Sequence, residues 1–192
     1  MLELLREKIE SWKKLGIKES TSGSRLFAHI PRDFPEAYLH TFFAPRLATD
    51  WAKYEINLTV PLRELYSECN GLSIFHVLNI YGIRSHFRRD QSAQFEPFDL
   101  MTHDKEHRTV WHPLPKEITD TRIFFGSYSW DGSGVCVMAE SPKVYRILRK
   151  ANAPSNEWPD IKTFLDSEYE RINKLFSSEG YLLIKGTPTV PS

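Results

Sequence analysis

A chain of 192 residues, 41% hydrophobic, 13% aromatic and 26% charged, is long enough to bury a core without disulfide or metal staples, because a domain of this size hides roughly 70% of its unfolded surface. That composition excludes disordered and fibrous classes, and about 150 residues per domain makes a single domain over 1–192 the expectation. The 25 Lys+Arg balance 25 Asp+Glu, and no third of the chain departs from neutrality by more than two charges, so a nucleic-acid binder held mainly through phosphates is disfavoured.

Leu2, Leu5, Ile9 and Trp12 recur at helical spacing with charges between them, and Gly16 is placed to end that helix. The STSGS run at 20–24 reads as a flexible connector, which would let residues 1–24 pack as an N-terminal helical arm. Next comes a proline-broken, aromatic stretch. It suggests a short helix over 33–41, capped by Asp33, and a second around 45–53.

Thr59 is positioned to cap a helix with Pro61 in its first turn and a stripe of Leu62, Leu65, Tyr66 and Cys69; Asn70 and Gly71 end it. Residues 72–82 are rich in strand formers and predict one bent strand or two short ones. Segment 84–115 holds four of the seven histidines and little pattern; a helix over 97–108 is favoured because long structureless loops are uncommon in compact domains. Strands are predicted over 121–128, 134–139 and 143–148, the middle one apolar on both faces and so covered on both sides. After an Asn/Pro/Ser loop, Trp158, Ile161, Leu165, Tyr169, Ile172 and Phe176 line a long helix, and 181–184 suggests an edge strand. Strands that pair as consecutive hairpins, with helices segregated around them, mean an α+β fold with a mostly antiparallel sheet.

Cys69 and Cys136 lie among apolar neighbours and read as buried reduced thiols. The charged, interrupted N-terminus is unlike a signal peptide, and no stretch approaches the length of a membrane span. A cytoplasmic protein without membrane contact is the expectation.

The stretch from Pro61 to Phe75, with its helix ending in Asn70-Gly71, is closed by Ile80-Tyr81-Gly82 and followed by Gly126 before a hairpin at Asp131-Gly132-Ser133 and by Phe164-Leu165 in the last helix. Over 57–176 this series resembles the SUKH superfamily, which includes the yeast cell-wall-synthesis regulator and many bacterial toxin-immunity proteins. The resemblance implies an α+β protein-binding domain. On that footing Asn70, Gly71, Gly82, Gly126, Asp131 and Gly132 are structural. The partner would be a bacterial toxin domain of nuclease or deaminase type, neutralised by occlusion of its active site. No catalytic residue, cofactor or metal comes with it.

Two residue-level readings compete for the site. Arg84, Phe87 and Arg88 after the Gly82 strand, with Tyr128 and Trp130 at the hairpin, have the aromatic and arginine character of binding hot spots. Glu157, Asp160, Asp166, Glu168 and Glu170 would give an acidic surface suited to a basic toxin. Alternatives are a regulatory or scaffolding domain without a toxin and, from another class, a metal-dependent hydrolase. The hydrolase would use His103 and His107, spaced four apart on one helix side. In that motif Glu should directly follow the first His, where this chain has Asp104, and a third ligand would have to come from His112 or Asp99.

Overall fold

The computed structural model describes residues 2–30, 37–46, 58–84, 95–113, 121–139 and 141–192. The start of the helix expected from 33, most of the one expected over 45–53, and Phe87 and Arg88 lie outside the described residues.

The apolar stripe at the N-terminus forms α1 (Glu3–Glu10), tightening into a 3-10 turn over Ser11–Leu15, and Gly16 ends it at φ +104°. Leu2, Leu5, Ile9 and Trp12 are buried in the main core, so α1 is part of the packed body and does not stand off as an arm. The reason is the 20–24 run, which is no loose connector: it is the turn between β1 (Ile17–Glu19) and β2 (Arg25–Ile30), paired antiparallel. Ser20 closes that turn by accepting the Ser24 N–H at 2.9 Å through its Oγ. The described part of the helix expected over 33–41 is instead a strand, β3 (Ala37–Phe42), whose extended backbone continues the sheet from β2.

Then follow α2 (Val60–Glu68), β4 (Leu72–Ile74), β5 (Leu78–Ile80) and α3 (Leu100–Glu106), which runs into a π-helical turn over His107–Trp111. The C-terminal part supplies β6 (Arg122–Tyr128), β7 (Gly134–Met138), β8 (Val144–Ile147), β9 (Pro154–Trp158) and α4 (Ile161–Asn173). Among the described residues, nine strands form one sheet in the order of the sequence, each antiparallel to the last. The fold is therefore α+β. The 72–82 region is two strands joined at Phe75 and His76, both at φ +52°. The expected edge strand at 181–184 is reduced to an isolated bridge between Phe176 and Leu182. The Asn/Pro/Ser loop before Trp158 turns out to be the edge strand β9.

One face of the sheet packs against α1, α2 and α4. Ile161, Phe164, Leu165, Tyr169 and Ile172 of α4 are buried there, each side chain contributing about 1.5–3 kcal/mol. On the opposite face Phe124, Cys136 and Ile147 make a smaller cluster, onto which His107 and His112 stack. The middle strand β7 is thus covered on both sides. Asp104 docks α3 onto this face by accepting the Phe124 N–H at 2.8 Å.

The Asn-Gly after α2 has a specific task. Asn70 Nδ2 donates to Ile83 O and its Oδ1 accepts the Ile83 N–H, both at 2.8 Å. A Cβ on Gly71 would lie 2.6 Å from Ile80 O, and one on Gly82 would lie 2.1 Å from Asn70 O. The two segments touch backbone to backbone, with Tyr81 fixed between them and its carbonyl accepting from Tyr66 Oη at 3.0 Å.

Candidate functional site

Tyr81 projects into a cleft of about 400 Å³ on the sheet face that carries α3. Asn79 of β5 and Ser127 of β6, opposite each other in register, line it together with His103, Glu106, His107 and Trp111 from α3 and its π turn. Phe98, Arg149 and the β6–β7 turn, with Ser129, Trp130, Asp131 and Gly132, complete the lining.

The turn is rigidly held. Asp131 Oδ1 accepts the Ser133 N–H at 2.9 Å and the Ser133 hydroxyl at 2.7 Å, while its Oδ2 accepts from Arg146 Nη2 at 2.7 Å. Arg146, only 4% exposed, also donates to Ser133 Oγ and to the Pro191 carbonyl, so one guanidinium ties the turn to the C-terminal segment. Ser129 N–H donates to Val77 O at 2.8 Å. On this frame Trp130 is 49% exposed at the crest of the turn.

The floor is a ring stack. Tyr81 lies against His103 at 4.8 Å and His107 at 6.0 Å between centroids, and its hydroxyl is hydrogen-bonded to His107 Nε2 at 2.9 Å. His112 stacks on His107 at 5.1 Å with the rings 8° from parallel. Burial, aided by His112, His103 and Arg149, pushes His107 down to about 3, so the floor imidazole is neutral at ordinary pH. His112 is lowered too, by burial first. Tyr81 is raised, again chiefly by burial. Burial alone would raise the Asp131 carboxyl, but hydrogen bonds from Ser133 and Arg146 outweigh it and hold it below the usual carboxylate value.

His103 and His107 do share one side of their helix, and one nitrogen of each ring has another partner. His103 Nδ1 faces Glu106 Oε2 at 3.2 Å, and His107 Nε2 meets Tyr81. Asp104, where a zinc-hydrolase motif would have Glu, is spent on the β6 backbone and on Arg108. Among the described residues no group of three or more His, Cys, Asp or Glu side chains is placed to hold a metal ion.

The expected binding residues divide. Trp130 is at the cleft rim, whereas Tyr128 is fully buried beneath the turn, because strand alternation sends it to the core face, and so it is not a surface group. Arg84 is half-buried beside Asp99, which receives its N–H. The acidic series divides too, with Glu157 and Glu170 exposed and the others partly or fully buried. Glu168 is 2% exposed and paired with Arg171 at 2.6 Å. Asp160 caps α4 by accepting the Thr163 N–H. Glu157, Asp166 and Glu170 pair with Lys143, Lys162 and Lys8. Gly126 sits at the bulge of β6, opposite Ile80, and Gly132 in the turn, as structural residues.

Sequence reasoning missed Tyr81, Phe98, Trp111 and Arg149 as members of one site. They come from four separate segments, and no local spacing connects them. No helix among the described residues is long and apolar enough to cross a membrane. No family model, no curated protein and no solved structure matches the chain.

Proposed function

We propose that this chain is a non-enzymatic protein-binding domain that receives its partner at the aromatic cleft. Following the SUKH resemblance, the partner is a bacterial toxin domain whose active site it occludes. The observation that carries the reading is Trp130, half exposed on a pinned turn at the rim of a cleft that also contains Tyr81, Phe98, Trp111 and Arg149. Tryptophan, tyrosine and arginine dominate binding hot spots, and a rigid mount lowers the entropy lost when a partner docks. The neutral His107 ring, stacked with Tyr81, leaves the floor of the cleft aromatic and uncharged at that position.

The test is co-expression with the protein encoded beside this gene, assayed for toxicity on its own. Rescue of growth, with the two chains co-purifying in equal amounts, is the expected result. No rescue and no co-purification would refute toxin neutralisation. Co-purification with a neighbour that has no toxic activity would replace it with the regulatory or scaffolding role.

A further inference from the structure

The cleft contains a cation held ready and left unanswered. Arg149 Cζ lies 3.3 Å above the centre of the Trp111 ring. Gly132 also approaches it, since an added Cβ there would stand 3.2 Å from Arg149 Cδ and 3.4 Å from Nε. The exposed side chain is therefore braced by the indole face and by the Gly132 backbone. Lys150 N–H donates to Trp111 O at 2.8 Å, fixing the 149–150 turn to the same π-helical end. A stacked guanidinium keeps the edge of its planar fork outward, which is the edge that grips a carboxylate through two parallel hydrogen bonds.

The neighbouring acids are already engaged. Asp131 is held by Arg146 at 2.7 Å and Asp104 by Arg108 at 2.9 Å, while Glu106 faces His103 at 3.2 Å. Among the described residues no carboxylate pairs with Arg149. Its charge is felt on the cleft floor, where it opposes protonation of His107 and His112. Two exposed lysines, Lys105 and Lys150, lie on the segments that flank Trp111.

We infer that the cleft recognises an acidic segment of the partner protein, seating one aspartate or glutamate carboxylate on the Arg149 fork while the adjoining apolar side chain packs on Trp130. This rests on the reading of the cleft as a protein-binding site and names the chemistry of what enters it. The orientation is the reverse of an acidic inhibitor meeting a basic target: here the partner carries the acid. Arg149 and Trp111 are preorganised, so the bond costs little side-chain ordering.

The experiment is an NMR titration of the full chain, labelled with nitrogen-15, that follows the Arg149 Nε–Hε and the Trp111 and Trp130 indole N–H signals. The probes are a capped Gly-Glu-Gly tripeptide, its Gly-Gln-Gly counterpart and inorganic phosphate. The glutamate peptide is expected to move the Arg149 and Trp111 signals saturably, and the glutamine peptide to leave them in place. Arg149→Gln, and Arg149→Lys, which keeps charge without the fork, should each weaken the glutamate peptide by about tenfold or more. Equal shifts from the two peptides, unchanged binding in either variant, or phosphate binding as tight as the glutamate peptide would overturn the inference. None of those results touches the co-expression test. Failed titration with successful rescue removes the carboxylate and leaves the protein-binding reading, and the converse removes only the toxin.

Discussion

Lowering the pH from 7 to 5 should cost this protein about 4 kcal/mol through two buried histidines, His40 and His107. His40 has no exposed surface. It is packed among Trp12, Phe75 and Tyr169, with its Nδ1 accepting the Phe75 N–H at 3.4 Å and its Nε2 unpartnered. Burial, with a smaller contribution from His76, drives it from 6.5 to about 3, the same value that His107 reaches. The folded pKa lies below the unfolded one, so the unfolded chain takes up protons first. Stability from these groups is complete above pH 6.5 and drains away as the pH falls towards 3. At pH 5 the unfolded imidazole is nearly all protonated and the folded one nearly all neutral, a difference of about 2 kcal/mol for each histidine relative to pH 7. Guanidinium denaturation at pH 7, 6 and 5 measures the loss directly. The variant His40→Phe separates the two. It keeps a ring against Trp12 and Phe75 but strips the Phe75 N–H of its acceptor, so it should be about 1–2 kcal/mol less stable at pH 7. On going to pH 5 it should also lose about 2 kcal/mol less than the parent. A variant that keeps the full acid loss, or an NMR titration in which native His40 protonates near 6.5, would show that burial does not hold His40 neutral.

Gly82→Ala would drive a methyl to 2.1 Å from Asn70 O and 2.8 Å from Pro97 Cγ, and should cost about 3 kcal/mol in the same denaturation assay. Because Tyr81 is mounted on that contact, the Tyr81 and His107 ring signals should shift as well; a destabilisation below about 0.5 kcal/mol would mean the two backbones yield easily. Arg146→Met removes the buried cation that serves Asp131, Ser133 and Pro191, and should cost about 3–5 kcal/mol because Asp131 is left without its counter-ion. Raised hydrogen exchange in the C-terminal residues should accompany it, and unchanged exchange there would contradict the tie to Pro191.

The legible part of the fold was the part whose periodicity is uninterrupted. α1, α2, β6 to β8 and α4 follow apolar spacings that burial then enforces. β2 was hidden because Ala28 adopts φ +61° in mid-strand, which breaks the alternation. β1 has three residues and too little pattern to register. β9, with Pro154, Ser155 and Asn156, has the composition of a loop, and an edge strand tolerates it because one of its sides needs no ladder partner. The helix expected over 33–41 failed because Tyr38, Phe42 and their neighbours suit either period once prolines obscure the ends. At the site, Trp130 was legible from the turn chemistry of Asp131, Gly132 and Ser133. Tyr128 misled because a shift of one residue along a strand decides between core and surface, and sequence does not show where the β6 bulge falls. The ion pairs of the acidic series were not legible, because Glu170 pairs with Lys8 of α1 and Glu157 with Lys143 just before β8, partners far apart in the chain.

On the proposed function, Trp130 serves recognition and not folding. Trp130→Ala removes a half-exposed ring from a turn whose hydrogen bonds all belong to other residues, so the melting curve should match the parent within about 0.5 kcal/mol. Calorimetric titration with the co-purified partner should instead weaken by about thirtyfold or more, the mark of a hot spot near 2 kcal/mol. Partner affinity unchanged in a correctly folded Trp130→Ala protein would contradict the placement of the binding site in this cleft.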